Sequence, residues 1–266
     1  MDRQILTIRV TGADGTVKAE TAGEGRADLV YDAEYAEGDR IVFTGLPAKG
    51  FTAVQPDDAM LPAIWYTAGT TAQIIIPFGD DRLAISPRAF TGSRHLISAR
   101  IPEKEEISGR RLLSANSVDG FASEGVYPHA HANVETRNEA VFMARNAIDG
   151  LYANHSHGQY PWSSWGINRD PNAEWTLEFG RPVRVEELAV TLRADFPHDS
   201  WFTRAEVTFS DGTSETLRFE KSDRPQRFAV APRTVEWVKF GRLVKADDPS
   251  PFPALTQFDV YGTEAE

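Results

Sequence analysis

A chain of 266 residues with a formal net charge of −11 offers no electrostatic case for nucleic acid or an anionic membrane as its partner. The absence of cysteine removes disulfides, thiolate metal ligands and cysteine nucleophiles together. Hydrophobic content of 41% and charged content of 25% are those of a globular protein long enough for one large core or two ordinary ones.

The chain opens Met1, Asp2, Arg3, Gln4 and passes straight into a strand pattern with no apolar leader, so the expected location is the cytoplasm. Leu6, Ile8 and Val10 alternate with Thr7 and Arg9, the period of a half-buried strand. Ala13, Asp14 and Gly15 signal a turn. Leu29, Tyr31, Ala33 and Tyr35 alternate again, and Glu37-Gly38 turns the chain toward Ile41. Further short strands are expected near 51–54, 63–66, 73–76, 83–85 and 96–101, punctuated by Gly, Pro and Asp. Many short strands without a strong helix predict an all-β fold, with a first β-sandwich over residues 1–107.

The charged stretch 102–111 reads as a linker, and the next segment, 112–137, is polar and contains Tyr127, Pro128, His129, Ala130, His131, Ala132 and Asn133. Residues 138–147 are expected to form one short helix with Ala140, Met143 and Ala147 on one side. Strand patterns then resume. Trp175, Leu177 and Phe179 alternate with polar residues, Leu188, Val190 and Leu192 follow, and Asp211-Gly212 is a hairpin signal. Later strands near 228–230, 235–240 and 258–261 complete a second sandwich, giving two jelly-roll-like domains in series, 1–107 and 108–266. No fixed repeat, low-complexity segment or membrane-length apolar run occurs.

Five blocks in the second half carry a family resemblance. They are Asn146 to Gly150 (NAIDG), Trp162 to Trp165 (WSSW), Trp175 to Gly180 (WTLEFG), Phe209 to Gly212 (FSDG) and Ala254 to Gly262 (ALTQFDVYG). In this order and spacing the segment resembles a discoidin domain, the coagulation-factor type C or galactose-binding-like β-sandwich. That resemblance implies a binding module whose loops at one end of the sandwich hold a saccharide. It also implies a structural calcium ion near the Asp-Gly block and the C-terminal strand, with Asp149 as carboxylate ligand. Many relatives place a Glu where Gln257 stands, so an amide oxygen would replace a charged ligand and weaken the ion's hold.

Sugar recognition needs an apolar face for the ring's C–H side and planar donors and acceptors for its hydroxyls. Trp162, Trp165 and Trp201 are candidates for the faces. Asn154, His155, His157, Arg193, Asp195 and His198 are candidates for the polar contacts. Trp175 and Trp237, which lie in strand patterns, read as packing, and one of Trp162 and Trp165 is expected to pack under its loop.

Five of the six histidines fall in the clusters His129/His131, His155/His157 and His198. On an extended segment, His-x-His projects both rings to one side about 6–7 Å apart. A shared transition metal would need ligands from three segments, and no compact metal motif is present. A metal-free alternative sets these histidines with Arg193 as acid, base and anion-holding groups, partnered by Tyr127 or Tyr160. A carboxylate pair drawn from Glu135, Glu139, Asp149, Asp195 and Asp199 is another.

No phosphate-cradling glycine loop and no nucleophile elbow occurs, so neither a nucleotide nor a redox cofactor is expected. The leading expectation is a saccharide-binding protein acting through loops near 129–137, 154–165 and 193–201. A saccharide-processing enzyme of lyase or glycoside-hydrolase type using the same loops is the alternative, and a protein–protein assembly module the third. Neither nucleic acid nor membrane is expected as a partner.

Overall fold

The computed structural model describes residues 4–193 and 199–265. In the first sandwich, a four-stranded sheet runs in the order Val17–Glu24, Ile5–Thr11, Arg40–Thr44, Thr71–Ile75. Facing it, a five-stranded sheet runs Val126–Tyr127, Ala63–Thr67, Gly50–Gln55, His95–Arg100, Arg26–Tyr31. The alternation read from sequence decides which side chains face inward. Leu6, Ile8 and Val10 are buried to 1% exposure or less, and they meet Phe43, Trp65 and Ile97 in one core. Phe43 and Trp65 pack edge to face at 5.6 Å.

The second sandwich is wound from three long antiparallel strands, Trp175–Leu192, Gln226–Lys245 and Phe252–Glu264. The first of these shifts register between Glu178 and Val183, and again between Val185 and Glu187. Such bulges bend a strand, so a single strand can serve both layers of a sandwich. Strand Phe202–Phe209 turns through Asp211 and Gly212 (φ 85°) into Ser214–Arg218, the hairpin its sequence predicts. Trp175, Leu177, Phe179, Phe240 and Phe258 form the centre of the second core, all fully buried.

Two local expectations are corrected. Residues 83–85 are no strand, because Gly79–Ala84 is a 3₁₀ turn. The helix expected over 138–147 is broken into three 3₁₀ turns, Thr136–Asn138, Ala140–Phe142 and Ala144–Ile148, with Met143 extended between the last two. The reason is competition for backbone groups. Glu135 Oε1 accepts from the Ala144 amide at 2.7 Å, Trp175 Nε1 donates to the Ala144 carbonyl at 2.9 Å, and Asn146 Nδ2 donates to the Ala140 carbonyl at 2.9 Å. Within the stretch read as a linker, Lys104–Ser108 makes one turn of α-helix closed by a Glu103/Glu106 capping box.

The sandwiches meet along a defined seam. Arg181, 8% exposed, lies over the rings of Phe51 and Tyr66 at 4.7 and 4.9 Å and donates twice to Glu264 at 2.7 Å. Gly180 (φ 67°) sits under Tyr127, where an added Cβ would meet the ring at 2.2 Å. Residues beyond 107 also enter the first core: Val118, Phe121 and Val126 pack there. Buried Asn116 ties both halves, accepting from Trp65 Nε1 at 3.1 Å and donating to the Pro128 carbonyl at 2.9 Å.

Candidate functional site

Three segments of the second sandwich, near 136–142, 157–169 and 251–254, surround a hollow of about 260 Å³. Its lining brings Phe142 and Phe252 together with Arg137, Asn168, Arg169, His157 and Arg193. Phe252 stands between Pro251 and Pro253 and is 43% exposed, with the Arg169 guanidinium 4.6 Å from its ring centre. Arg137 lies 5.7 Å over Phe142 and is held by Glu139 through two hydrogen bonds of 2.6 and 2.7 Å.

The backbone here is held in an unusual state. Arg137, Asn138, Asn168 and Arg169 all have left-handed φ, between 49° and 62°, without being glycine. Each costs of order 1 kcal/mol and persists only where the surroundings impose it. Thr136 Oγ1 accepts from the Asn168 amide at 2.9 Å and locks one loop on the other. A side chain at Gly166 would strike that same hydroxyl at 2.5 Å.

The candidates read from sequence divide. His157 and Arg193 line the hollow, and His155 is exposed close by in sequence. Arg193 is 1% exposed and donates to the Trp162 carbonyl, so it also braces the loop. Trp165 and Asn154 are corrected to structural roles. Trp165 is fully buried and donates to the Val134 carbonyl at 2.9 Å. Asn154 is 2% exposed and donates to the carbonyls of Leu192 and Asp223 at 3.2 and 2.8 Å. Trp162 is half-buried, and Trp201 packs against the second core. Asp195 and His198 lie outside the described residues.

His129 and His131 sit on strand His129–Ala132 with stacked rings 5.9 Å apart, the same-side projection expected of an extended His-x-His. His129 Nδ1 meets Asp119 Oδ1 at 2.7 Å, and this hydrogen bond holds the imidazole above its usual range. Among the described residues, no group of three or more His, Asp or Glu side chains is placed to hold a metal ion.

The Asp-Gly block does not fit calcium. Gln257 Nε2 donates to the Asn146 carbonyl at 2.7 Å, to Asp149 Oδ1 at 2.6 Å and to the Thr256 carbonyl at 2.8 Å. Its Oε1 accepts from the Gly150 amide at 3.1 Å, which fixes the amide's orientation. The oxygens a cation would gather are thus already gathered on a nitrogen. Burial pushes Asp149 up to about 8, against the hydrogen bonds from Leu151, Gln257 and Ser163. With its nitrogen turned to Asp149 and its oxygen to the Gly150 amide, Gln257 offers this point no ligand oxygen, which a hard divalent cation needs.

That shift makes a stability prediction. A native pKa above the unfolded value means that the native state holds the extra proton, so stability falls as pH rises from about 4 toward 8. Asp259, pushed up to about 6 by burial, adds in the same sense. Asp149→Asn can keep the bonds to Leu151, Gln257 and Ser163, and it is expected to flatten this decline. Urea unfolding of both proteins at several pH values checks it, and parallel profiles would remove Asp149 as the cause.

No family model matches the chain, and no curated protein matches it. Among solved structures, it is similar to chitosan-binding module 1 of a chitosanase/glucanase from Paenibacillus sp. IK-5, at 17% identity and TM-score 0.40, covering 57% of this chain and 99% of that one. It is similar to the family 32 CBM of C. perfringens NanJ in complex with galactose, at 18% identity and TM-score 0.38, covering 50% and 91%. It is similar to the lectin domain of lectinolysin complexed with Lewis B antigen, at 16% identity and TM-score 0.42, covering 56% and 98%. At such values the likeness is one of strand arrangement, and the site stands on this chain's own residues.

Phe142, Asn168, Arg169 and Phe252 were not singled out by sequence. The signal for Phe252 was an aromatic between two prolines, a side chain with few places to hide. Asn is a residue type that tolerates the left-handed region, but nothing in sequence marks Arg169, and the Thr136 hydroxyl that holds the Asn168 amide comes from another loop.

Proposed function

We propose that this protein binds a saccharide in the loop hollow of the second sandwich. The observation that carries the reading is the meeting of exposed Phe252 with planar donors on a backbone that spends conformational energy to hold them. A sugar ring can lay its C–H face on Phe252 or Phe142 while Arg169, Asn168 and His157 reach its hydroxyls. The hollow has the features of a binding site, an apolar surface with a few fixed polar groups, and its size suits one or two sugar units.

A glycan array of neutral and acidic sugars, followed by calorimetry on the best ligand, tests this. Phe252→Ala and Arg169→Ala each remove an exposed contact and are expected to weaken binding about tenfold or more, with unfolding midpoints unchanged. Unchanged affinity in both variants would move the site elsewhere.

A further inference from the structure

A second hollow, of about 420 Å³, lies where the two sandwiches meet. Leu61 and Ser86 of the first sandwich face Arg145, Asp149 and Tyr160 of the second across it. We propose that this junction hollow binds a hydroxylated carboxylic acid of monosaccharide size, a uronic acid, with its carboxylate on Arg145.

Arg145 is 8% exposed, and its Nη2 is buried without a hydrogen-bond partner. Buried guanidinium groups are ordinarily paired, because an unanswered donor in a low-dielectric site is costly. The protein nonetheless builds a seat for this one. Its guanidinium carbon lies 3.8 Å from the Phe121 ring centre, and Gly120 (φ 77°) leaves room for its side chain, which an added Cβ would strike at 2.8 Å.

Asp81, Asp119, Glu135 and Asp149 all favour the charged guanidinium from nearby, but none of them hydrogen-bonds its Nη2. Asp119 spends both oxygens on His129 and the Ala130 amide. Asp149 spends its oxygens on Leu151, Gln257 and Ser163, and burial keeps it protonated near neutrality. Asp58 is exposed on the rim. Arg145 lines the hollow, so an incoming carboxylate that draws the guanidinium toward it can supply the acceptor that the buried Nη2 lacks, in the planar geometry a guanidinium favours. Beyond Arg145 the lining mixes the hydroxyls of Ser86, Ser117 and Tyr160 with apolar Leu61 and Ile85. That mixture suits a ring bearing hydroxyls and one acid group.

The test is calorimetric titration of the full chain with galacturonate and with galactose. Galacturonate should bind and galactose should bind at least tenfold more weakly, reflecting a charge-assisted pair. Arg145→Gln should lower galacturonate affinity about tenfold or more. Ser86→Trp, which fills the hollow without touching Arg145, should do the same with an unchanged unfolding midpoint, and it decides the matter if Arg145→Gln does not fold. Arg169→Ala with Phe252→Ala should leave galacturonate binding intact, separating this site from the loop hollow. The proposal is overturned if galacturonate does not bind, binds no better than galactose, survives Ser86→Trp, or is lost with the loop variants.

Discussion

Gln257→Glu is expected to destabilise the second sandwich by about 3–5 kcal/mol in the presence of a chelator, the range for an uncompensated buried charge. Gln257 is 1% exposed, and its amide nitrogen is the meeting point of the Asn146 and Thr256 carbonyls and the Asp149 carboxyl. Glutamate keeps the shape but replaces two N–H donors with an anion, setting oxygen against oxygen on every side. Calcium should then recover most of the loss, because the variant now presents two carboxylates and two carbonyls around one point. The wild-type protein should show no comparable gain, since its amide already holds those oxygens. Urea unfolding of both proteins with EDTA and with excess calcium reads the four values. A wild-type midpoint that rises with calcium as much as the variant's would show that the amide does not stand in the ion's place.

The Gln257 site also shows where sequence reading stops. Asp149, Gly150 and Gln257 were found because their blocks fall in order, and their convergence was expected. Which atom of the amide faces the carboxyl is a property of the surrounding donors, above all the Gly150 amide, and no local pattern carries it. The same division runs through the fold. Period-two stretches such as Leu6 to Val10 and Trp175 to Phe179 were legible because burial of one face is a local rule. The stretch from 138 to 147 departs from the expected helix because Glu135, Asn146 and the distant Trp175 take its backbone groups, and only the folded chain brings Trp175 there. Arg145 was invisible for a related reason. It reads as an ordinary charged residue until Gly120 and Phe121 close around it.

Trp165→Ala is the second large effect. The side chain is fully buried in strand Trp165–Gly166, which pairs with Leu255 and Ala254, and its indole N–H donates to the Val134 carbonyl at 2.9 Å. Truncation removes a large apolar volume, opens a cavity and leaves that carbonyl without its donor, a loss of about 3–5 kcal/mol. Binding should fall as well, because Gly166 next door packs closely against Thr136, and Thr136 holds the Asn168 amide at the rim of the loop hollow. Trp165→Phe should keep most of the packing and cost about 1–3 kcal/mol, chiefly for the unmet carbonyl. The contrast with Phe252→Ala is diagnostic. A ligand-facing aromatic loses affinity with stability intact, whereas a supporting one loses stability first and affinity as a consequence. Denaturant unfolding beside calorimetry on the three variants separates the two patterns, and a Trp165→Ala protein within 1 kcal/mol of wild type but unable to bind would return Trp165 to the ligand's side of the loop.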